Sequence, residues 1–416
     1  MNKLAVALLL ALVAVTLPGP TQAEPSPAVS QVRCENGTAA GYPCRNVHLL
    51  SHLALSEIGA EDETVTGNDH WGWTDLQTGR DYVLFGMTNG TSFIDVTDRA
   101  HPVYLGKLPS HDGVSQWRDI KVYQDVAYIV GDIPTHDGLQ LFDLTQLRNV
   151  PNPPVTFSET AHYAGFQSGH NLWINQETGY LYAFRTVGDS CNAAMHMVNI
   201  QTPLQPTFAG CFDHGEAPLS DAECIVYRGP DADYQGREIC FIGSDDNVAI
   251  GDVTDKDNTR VIADFTYPGI VRAHQGALTE DQRYWLLSDT MDEVTNGHNT
   301  RTYVFDVADL DHPVVMGHYE HSTTARDHNI YIHGQRAYQT NWQAGFRILD
   351  TSSLPGLQFR ELGYFDIVPE SDSVAASGAW SHFTWRRDGA VTVSGTEQGL
   401  FVLWPTVEQV FLPVVE

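Results

Sequence analysis

Short runs of alternating apolar and polar residues fill most of the chain. Runs such as "DYVLFGM", "VAYIVGD" and "RYWLLSD" repeat with a period of two residues, and Gly, Pro, Asn and Asp bound them. This alternation is typical of half-buried β-strands, and no long apolar stripe with a helical period competes with it. The sequence therefore predicts an all-β protein.

One strand phrase recurs along the chain and ends in Asp or a substitute, as in "GTSFIDVTD", "NVAIGDVTD" and "RTYVFDVAD". Its seven reference positions are Asp95, Asp143, Asn199, Asp252, Asp306, Asp350 and Trp404. Neighbouring positions are between 44 residues (306 to 350) and 56 residues (143 to 199) apart. Four-stranded units that repeat at about 40 to 50 residues form the blades of β-propellers. We therefore predict a seven-bladed β-propeller with four-stranded antiparallel blades, forming one domain over residues 47–416.

The seventh repeat has no clear fourth strand after "GLFVLWP", whereas "NVHLLSHLALSEIG" precedes the first inner strand without a blade of its own. We expect this N-terminal strand to pair into blade seven and close the ring. The repeated Asp is expected to accept backbone N–H groups of the turn that follows it.

The first 23 residues contain Lys3, an apolar run and the small residue Ala23, which is the pattern of a cleaved signal peptide. No later run approaches the about 20 apolar residues of a membrane helix, so we expect no transmembrane segment. The formal net charge of −29 disfavours nucleic acid as a partner. The sequence predicts an exported protein that is secreted, periplasmic or held at the cell surface.

Six cysteines in an exported chain predict disulfide bonds. Cys34 and Cys44 flank a turn-rich stretch in the N-terminal segment, residues 24–46, and are expected to pair. The remaining four allow three connectivities: Cys191, Cys211, Cys224 and Cys240. We favour the one that joins near neighbours, 191 with 211 and 224 with 240.

A second set of positions stands near the starts of the innermost strands. It comprises His70, Arg118, His170, Glu223, His274, His328 and His382. Because inner strands line the channel of a propeller, these side chains are expected to form a ring. Imidazoles with a carboxylate suit Zn, Cu or Fe, so the candidate metal ligands are the five histidines and Glu223. The alternative is a structural role, in which the histidines bond to groups of the neighbouring blade.

Other residues beside this ring are candidates for ligand binding. Arg118 suits a bound anion, Asp119 adjoins it, and Trp71, Trp117 and Trp380 are placed to wall a pocket.

A separate loop, "SDTMDEVTNGHNTR", brings Asp289, Asp292 and Glu293 close together in sequence, a density of oxygen ligands that suits Ca²⁺. A solvated loop is the alternative there.

The motifs of serine hydrolases, zinc peptidases, phosphate-binding loops and dithiol oxidoreductases are absent from the sequence. Two functional hypotheses follow. The first is a binding or scaffold module for an extracellular protein, glycan or small molecule. The second is a metal-dependent oxidoreductase or hydrolase with its metal in the channel. The sequence leaves open whether the protein is an enzyme.

Several phrases together resemble one family: "YPCRNVHLLSHL", "WGWTD", "WRDIKVY", "AGCF", "GREICF", "TRTYVFDVADL", "DHNIYI" and "GFRILD". The chain is similar to the bacterial choice-of-anchor B family, which has repeats of the LVIVD type. The resemblance implies an exported propeller-like protein, often attached to the surface by one of several C-terminal signals. No sorting motif or basic-flanked apolar tail follows Trp404, so the chain departs from the family there. The resemblance implies no catalytic residues.

Overall fold

The structure is a computed structural model that describes residues 30–111, 113–132, 138–191, 194–215, 218–385 and 387–407. The predicted signal peptide lies outside these described residues. Within them the chain forms seven antiparallel sheets around a central channel, which confirms the predicted seven-bladed β-propeller.

Strands are numbered in chain order, beginning with four short N-terminal strands: β1 (Ser30–Val32), β2 (Thr38–Ala39), β3 (Tyr42–Arg45) and β4 (Val47–Leu53). The strands of blades one and two are β5 (Gly67–Asp75), β6 (Arg80–Met87), β7 (Gly90–Asp95), β8 (Val103–Pro109), β9 (Arg118–Tyr123), β10 (Val126–Gly131), β11 (Leu139–Asp143), β12 (Val155–Thr156) and β13 (Ala161–Tyr163). Blade one is β5 to β8, with the short β12 added in parallel outside β8, and blade two is β9, β10, β11 and β13.

Blades three to five follow the same plan, with the first strand innermost and the fourth outermost. Their strands are β14 (Asn171–Asn175), β15 (Tyr180–Phe184), β16 (Met195–Asn199), β17 (Thr207–Phe212), β18 (Leu219–Val226), β19 (Glu238–Ser244), β20 (Val248–Asp252), β21 (Arg260–Phe265), β22 (Ala273–Leu278), β23 (Tyr284–Asp289), β24 (Arg301–Asp306) and β25 (Val314–Glu320). A short helix, α1 (Asp292–Asn296), follows β23, and 3₁₀ turns span Leu55–Ile58 and Leu144–Asn149.

The start of the chain completes blade seven and extends blade six. Their own strands are β26 (Asn329–His333), β27 (Arg336–Thr340), β28 (Phe346–Asp350), β29 (Arg360–Phe365), β30 (Ala379–Thr384), β31 (Val391–Gly395) and β32 (Gly399–Pro405). Strand β4 pairs antiparallel with β32 and supplies the missing fourth strand of blade seven. The predicted closure of the ring by the N-terminal strand is confirmed.

The described part of the N-terminal segment extends two outer blade edges. Strand β1 pairs with β4, and β3 pairs with β29 of blade six. Edge strands expose unpaired backbone groups, so added strands satisfy those groups and protect the edge.

The repeated Asp caps the turn after the third strand, as predicted. Asp95 Oδ1 accepts the N–H of Thr97 at 2.9 Å, and Asp143 and Asp252 accept the equivalent bonds from Thr145 and Thr254 at 3.0 and 3.1 Å. The recurring Asp therefore has a structural role, because its carboxylate accepts a backbone N–H that would otherwise lack a partner in the turn.

The hydrophobic core is divided among the interfaces between blades. Between blades one and two, for example, Phe93 stacks on Phe142 with ring centroids 4.5 Å apart, in a cluster that also buries Tyr82 and Ile129. Each blade thus packs on its neighbours, which is how a propeller of this length stays stable as one domain.

Three disulfides bond the six cysteines in the predicted connectivity: Cys34–Cys44, Cys191–Cys211 and Cys224–Cys240. Disulfides indicate an oxidising environment such as the outside of the cell. None of the helices in the described part of the chain is long and apolar enough to cross a membrane.

Candidate functional site

The seven residues predicted to form a ring lie at three different levels of the inner strands. Levels are compared from one reference position in each blade. The capping Asp of the third strand pairs with a residue of the second strand, and that residue pairs in turn with the reference residue of the inner strand. The reference residue is Trp73 in blade one and Tyr123 in blade two. By this count, His70 lies three residues before its reference (73 − 70), and Arg118 lies five before its own (123 − 118). The single ring expected from sequence is therefore divided.

Counting in every blade gives the same three groups. Arg118, His170, His274 and His328 lie five residues before the reference, at the strand starts. His70 and His382 lie three residues before it, and Glu223 lies two before it. The sequence comparison missed this because it aligned these residues with one another, whereas the strand pairing sets the level of each one in the channel.

Three of the histidines meet where the inner strands begin. The rings of His274 and His328 stack with centroids 4.6 Å apart. Trp380 lies edge-on to His328 at 5.4 Å, and on the other side Trp117 lies 6.1 Å from His170. We call this end of the channel the channel mouth, formed by His170, His274, His328, Trp117, Trp380 and the arginines described below.

Two mouth histidines are oriented by the neighbouring blade. His170 Nδ1 lies 3.0 Å from Asp132 Oδ2 of blade two, and His328 Nδ1 lies 2.7 Å from the carbonyl oxygen of Trp380 in blade seven. His274 Nδ1 is buried and has no hydrogen-bond partner among the described residues. The cross-blade bonds are those expected of the structural alternative, and they also fix how the rings face the channel.

Three arginines surround these histidines. Arg185 and Arg272 both pair with Asp245, the latter at 3.2 Å, and all three side chains are partly exposed. Arg326 Nε donates to the carbonyl of Thr290 at 2.6 Å, and within the described chain no carboxylate pairs with its guanidinium. The mouth therefore gathers three arginines at one end of a strongly acidic protein.

His274 and His328 are neutral at neutral pH. Burial lowers the pKa of His328 to about 3, although its bond to Trp380 opposes the shift, and the charge of Arg326 lowers it further. Burial also lowers the pKa of His274 well below its usual value, and the nearby Arg185 and Arg326 act in the same direction. The arginine side chains beside them keep their positive charge at any physiological pH.

Just inside the mouth, four residues before the reference, every inner strand carries a polar residue. This polar ring comprises Asp69, Asp119, Asn171, Asp221, Gln275, Asn329 and Ser381. Its members join adjacent blades: Asp119 Oδ2 accepts the N–H of Leu172, and Gln275 Oε1 accepts that of Ile330, each at 2.5 Å. The polar ring thus fastens the inner strands to one another.

Lys121 lies against the acidic side of the polar ring. Its Nζ is 2.5 Å from Asp119 Oδ1 and 3.3 Å from Asp69 Oδ2, and it lies over the ring of Trp71 at 4.7 Å. Burial and Asp69 raise the pKa of Asp119 to about 7 although Lys121 opposes the shift. Burial likewise raises the pKa of Asp221 well above its usual value.

The remaining predicted metal ligands lie deeper and apart. His70 bonds through Nδ1 to Ser381 Oγ and through Nε2 to Thr392 Oγ1 of blade seven, both at 2.9 Å. Glu223 Oε2 accepts the N–H of Leu278 at 2.7 Å, and burial raises the pKa of Glu223 to about 7. Neither ring nitrogen of the buried His382 has a partner among the described residues.

The predicted ligand-binding residues divide between the mouth and the interior. Trp117 is 40% exposed, and both Trp117 and Trp380 border the mouth. Arg118 is buried and donates from Nε to the carbonyl of Met87 at 3.1 Å, which anchors blade two to blade one. Trp71 and Asp119 lie below the mouth beside Lys121.

Asp289, Asp292 and Glu293 come together with a fourth carboxylate, Asp327, and all four are buried. Asp289 Oδ2 accepts the hydroxyl of Tyr267 at 2.9 Å. Both carboxylate oxygens of Glu293, Oδ1 of Asp292 and Oδ1 of Asp327 have no hydrogen-bond partner in the described structure. The solvated-loop alternative does not fit this burial, and calcium at this acidic cluster stays a prediction.

Protonation lowers the charge of this acidic cluster when no cation is bound. Burial and the charge of Asp292 raise the pKa of Glu293 to about 9, and burial raises that of Asp292 to about 6. The pKa of Asp327 is raised well above its usual value by burial and by Glu293.

Among the described residues, donor atoms of His, Cys, Asp or Glu converge within 4.8 Å of one another at three places, and none includes a predicted metal ligand. These places are His111 with Glu159 and His162, Asp189 with Cys191 and His196, and Asp231 with Asp309 and Asp311. In the second, Cys191 is bonded to Cys211 and supplies no thiolate. The third lines an open acidic groove of about 630 Å³ on the outer surface.

Sequence reasoning missed Arg185, Arg272, Arg326 and Lys121. Each arginine lies just after a second strand or just before a first strand. Loops at these positions in different blades meet at the same end of the channel, and this shared position is the signal that would have grouped the arginines.

No protein-family model and no curated protein matches the chain. Solved structures match its fold. The WD40 β-propeller domain of Doa1 is 11% identical, with a TM-score of 0.52 over 88% of this chain and 97% of that one. The β-propeller domain of Cps50 (Swd1) from Myceliophteria thermophila is 11% identical, with a TM-score of 0.50 over 78% of this chain and 94% of that one. The computationally designed protein Ika8 is 8% identical, with a TM-score of 0.50 over 86% of each chain. At these identities the likeness shows the propeller fold alone.

Proposed function

We propose that this protein is an extracellular binding module whose channel mouth receives an anionic group of its ligand, a carboxylate or a phosphate on a small molecule or glycan. The observation that carries the proposal is the gathering of Arg185, Arg272 and Arg326 at one end of the channel of a chain with net charge −29. A charge of the sign opposite to the whole surface, placed at the ends of the inner strands, supports a recognition role.

Arg326 is the residue best placed to bind the anion. Its guanidinium is partly buried, bonds to backbone and to Met291 Sδ, and has no carboxylate ion pair in the described chain. Burial lowers its pKa, because charge held away from water is costly, although the nearby Asp327 and Glu293 oppose the shift. An anionic ligand would offset that cost and engage the planar donors of the guanidinium in a paired geometry.

The aromatic residues supply the rest of the site. Trp117 is exposed beside His170, and Trp380 and Trp342 pack on His328, with Trp342 and His328 ring centroids 4.4 Å apart. Imidazole and indole rings offer hydrogen bonds and flat apolar faces next to the arginines. This combination suits a ligand with a charged end and a ring or sugar body.

Export and the choice-of-anchor B resemblance form part of the same proposal. The three disulfides support a place outside the cytoplasm, where glycans and small metabolites are available ligands.

The test is a titration followed by tryptophan fluorescence, because two tryptophans border the mouth. Glucuronate is the anionic probe and glucose its neutral counterpart. We expect saturable quenching with glucuronate and none with glucose, and we expect Arg326→Gln and Arg185→Gln to weaken binding by at least about 10-fold. The matched control is Arg228→Gln. Arg228 is an exposed arginine of blade four that pairs with Glu177 of blade three, and its loss should leave binding unchanged. Equal responses to both sugars, or an unaffected Arg326→Gln variant, would exclude the proposal.

A further inference from the structure

Away from the mouth, two histidines and a glutamate meet on the surface between blades one and two. His111 follows β8 of blade one, whereas Glu159 and His162 belong to the outer edge of blade two. His111 Nδ1 lies 2.8 Å from Glu159 Oε1, and His162 Nδ1 lies 3.6 Å from Glu159 Oε2. The two imidazoles stack with centroids 4.0 Å apart.

One donor atom from each residue lies within 4.8 Å of the other two. Two imidazole nitrogens and one carboxylate on one side of an ion leave its remaining positions open to water or a further ligand. Nitrogen donors exclude Ca²⁺ and Mg²⁺ as the preferred ions and favour the divalent ions of the late first transition series and zinc.

A buried side chain holds the carboxylate in place. Gln140 is 2% exposed, and its Nε2 donates to Glu159 Oε2 at 3.3 Å and to the carbonyl of Pro109 at 3.1 Å. Outer partners of this kind orient metal-binding carboxylates. Gly138 adds to the arrangement, because a Cβ there would lie 2.8 Å from His162 Nε2, so a larger residue would displace the imidazole.

We propose that His111, Glu159 and His162 form a binding site for a divalent transition metal ion, with Zn²⁺ as its probe, and that the ion joins blades one and two. The side chains of His111, Glu159 and His162 are 36%, 25% and 21% exposed, so an ion reaches the site from solvent. The site is independent of the channel mouth and of the anionic ligand proposed there.

The experiment uses the full chain with its disulfides intact, without a histidine tag and freed of metal by chelation. Calorimetric titration with Zn²⁺ should show one ion per chain at this site. His111→Gln and His162→Gln should each weaken binding by at least about 10-fold, and Gln140→Ala by about 10-fold with unchanged stoichiometry. The control is His101→Gln, which removes an exposed histidine whose Nδ1 lies 3.0 Å from Asp98 and which belongs to none of the three places where donor atoms converge in the described structure.

A measurement on the unmodified protein guards against misfolded variants. Zn²⁺ should protect His111 and His162, but not His101, from diethylpyrocarbonate, as mapped by mass spectrometry. The proposal is overturned if Zn²⁺ does not bind, if the His111→Gln and His162→Gln variants bind it as tightly as the natural chain, or if His170 and His328 are protected instead.

Discussion

Lys121 Nζ lies 2.5 Å from Asp119 Oδ1, two residues earlier in the same inner strand, and both side chains are at least nine-tenths buried. Asp69 of blade one approaches the same ammonium at 3.3 Å, so one lysine compensates carboxylates from two blades. Asp119 and Asp69 together raise the pKa of Lys121 even though burial opposes the shift. A single cation therefore stabilises the inner strands where the blades meet.

Replacing this lysine should destabilise the propeller in a pH-dependent way. Lys121→Met leaves buried carboxylates without their cation, and such losses typically cost about 3 to 5 kcal/mol. The cost should be larger at pH 8 than at pH 5, because Asp119 and Asp221, whose pKa values are already raised, take up protons at the lower pH. Urea unfolding at both pH values measures this loss of stability. The control is Arg45→Gln, which removes an exposed arginine that pairs with Glu361. A loss that is equal at both pH values would count against the argument.

The acidic cluster near α1 predicts that stability falls as the pH rises in calcium-free buffer. The pKa of Glu293 is about 9 in the folded protein and 4.5 in the unfolded reference, so the folded state retains a proton that the unfolded chain releases. Stability from this group is therefore intact below pH 4.5 and is lost progressively up to about pH 9.

Glu293→Gln should remove part of that loss. We expect the variant to be more stable than the natural chain by about 1 to 3 kcal/mol at pH 8 and equally stable near pH 4. Denaturant midpoints across this pH range provide the measurement. Parallel pH profiles for the two proteins would refute the assignment of this titration to Glu293.

Calcium should reverse the loss at high pH, because the ion replaces protons among Asp289, Asp292, Glu293 and Asp327. At a concentration about 100 times its dissociation constant, a bound ion adds about 2.7 kcal/mol of stability. Thermal unfolding at pH 8 with calcium or with chelator gives this difference. The gain should vanish in a Glu293→Gln, Asp327→Asn double variant, and an equal gain in both proteins would place the calcium elsewhere.

Closure of the ring by β4 predicts a large effect from a single N-terminal residue. Leu49 is fully buried and pairs with Leu403 of β32, so Leu49→Ala leaves a cavity in the seam of the propeller. Such substitutions cost about 2 to 5 kcal/mol. The control Val103→Ala changes a residue that is 48% exposed on β8, and it should cost far less. Comparable losses in the two variants would mean that the seam does not limit stability.

The fold was accessible from sequence because its determinants are local and repeated. Alternation predicts each strand, and Asp95 and its counterparts mark the turn after each third strand. Blade seven lacks a fourth strand of its own, and the extra strand at residues 47–53 supplies it. The disulfides followed from sequence proximity for the same reason.

The site was predicted only in part because it depends on register and on contacts between blades. Glu223 and His70 align with His170 in sequence, but the strand pairing places them two and three residues before the reference position, whereas His170 lies five residues before it. Arg185 and Arg326 come from loops of different blades, and His111 meets His162 across a blade boundary. No local pattern encodes these distances.

The central claim is that the channel mouth binds an anion, and an anomalous difference map tests it most directly. Crystals of the natural protein soaked in selenate, a tetrahedral oxyanion with an anomalous signal, should show a peak between the guanidinium groups of Arg185 and Arg326. The peak should be absent from crystals of the Arg326→Gln variant soaked in the same way. Selenate peaks elsewhere on the surface with none at the mouth would contradict the account.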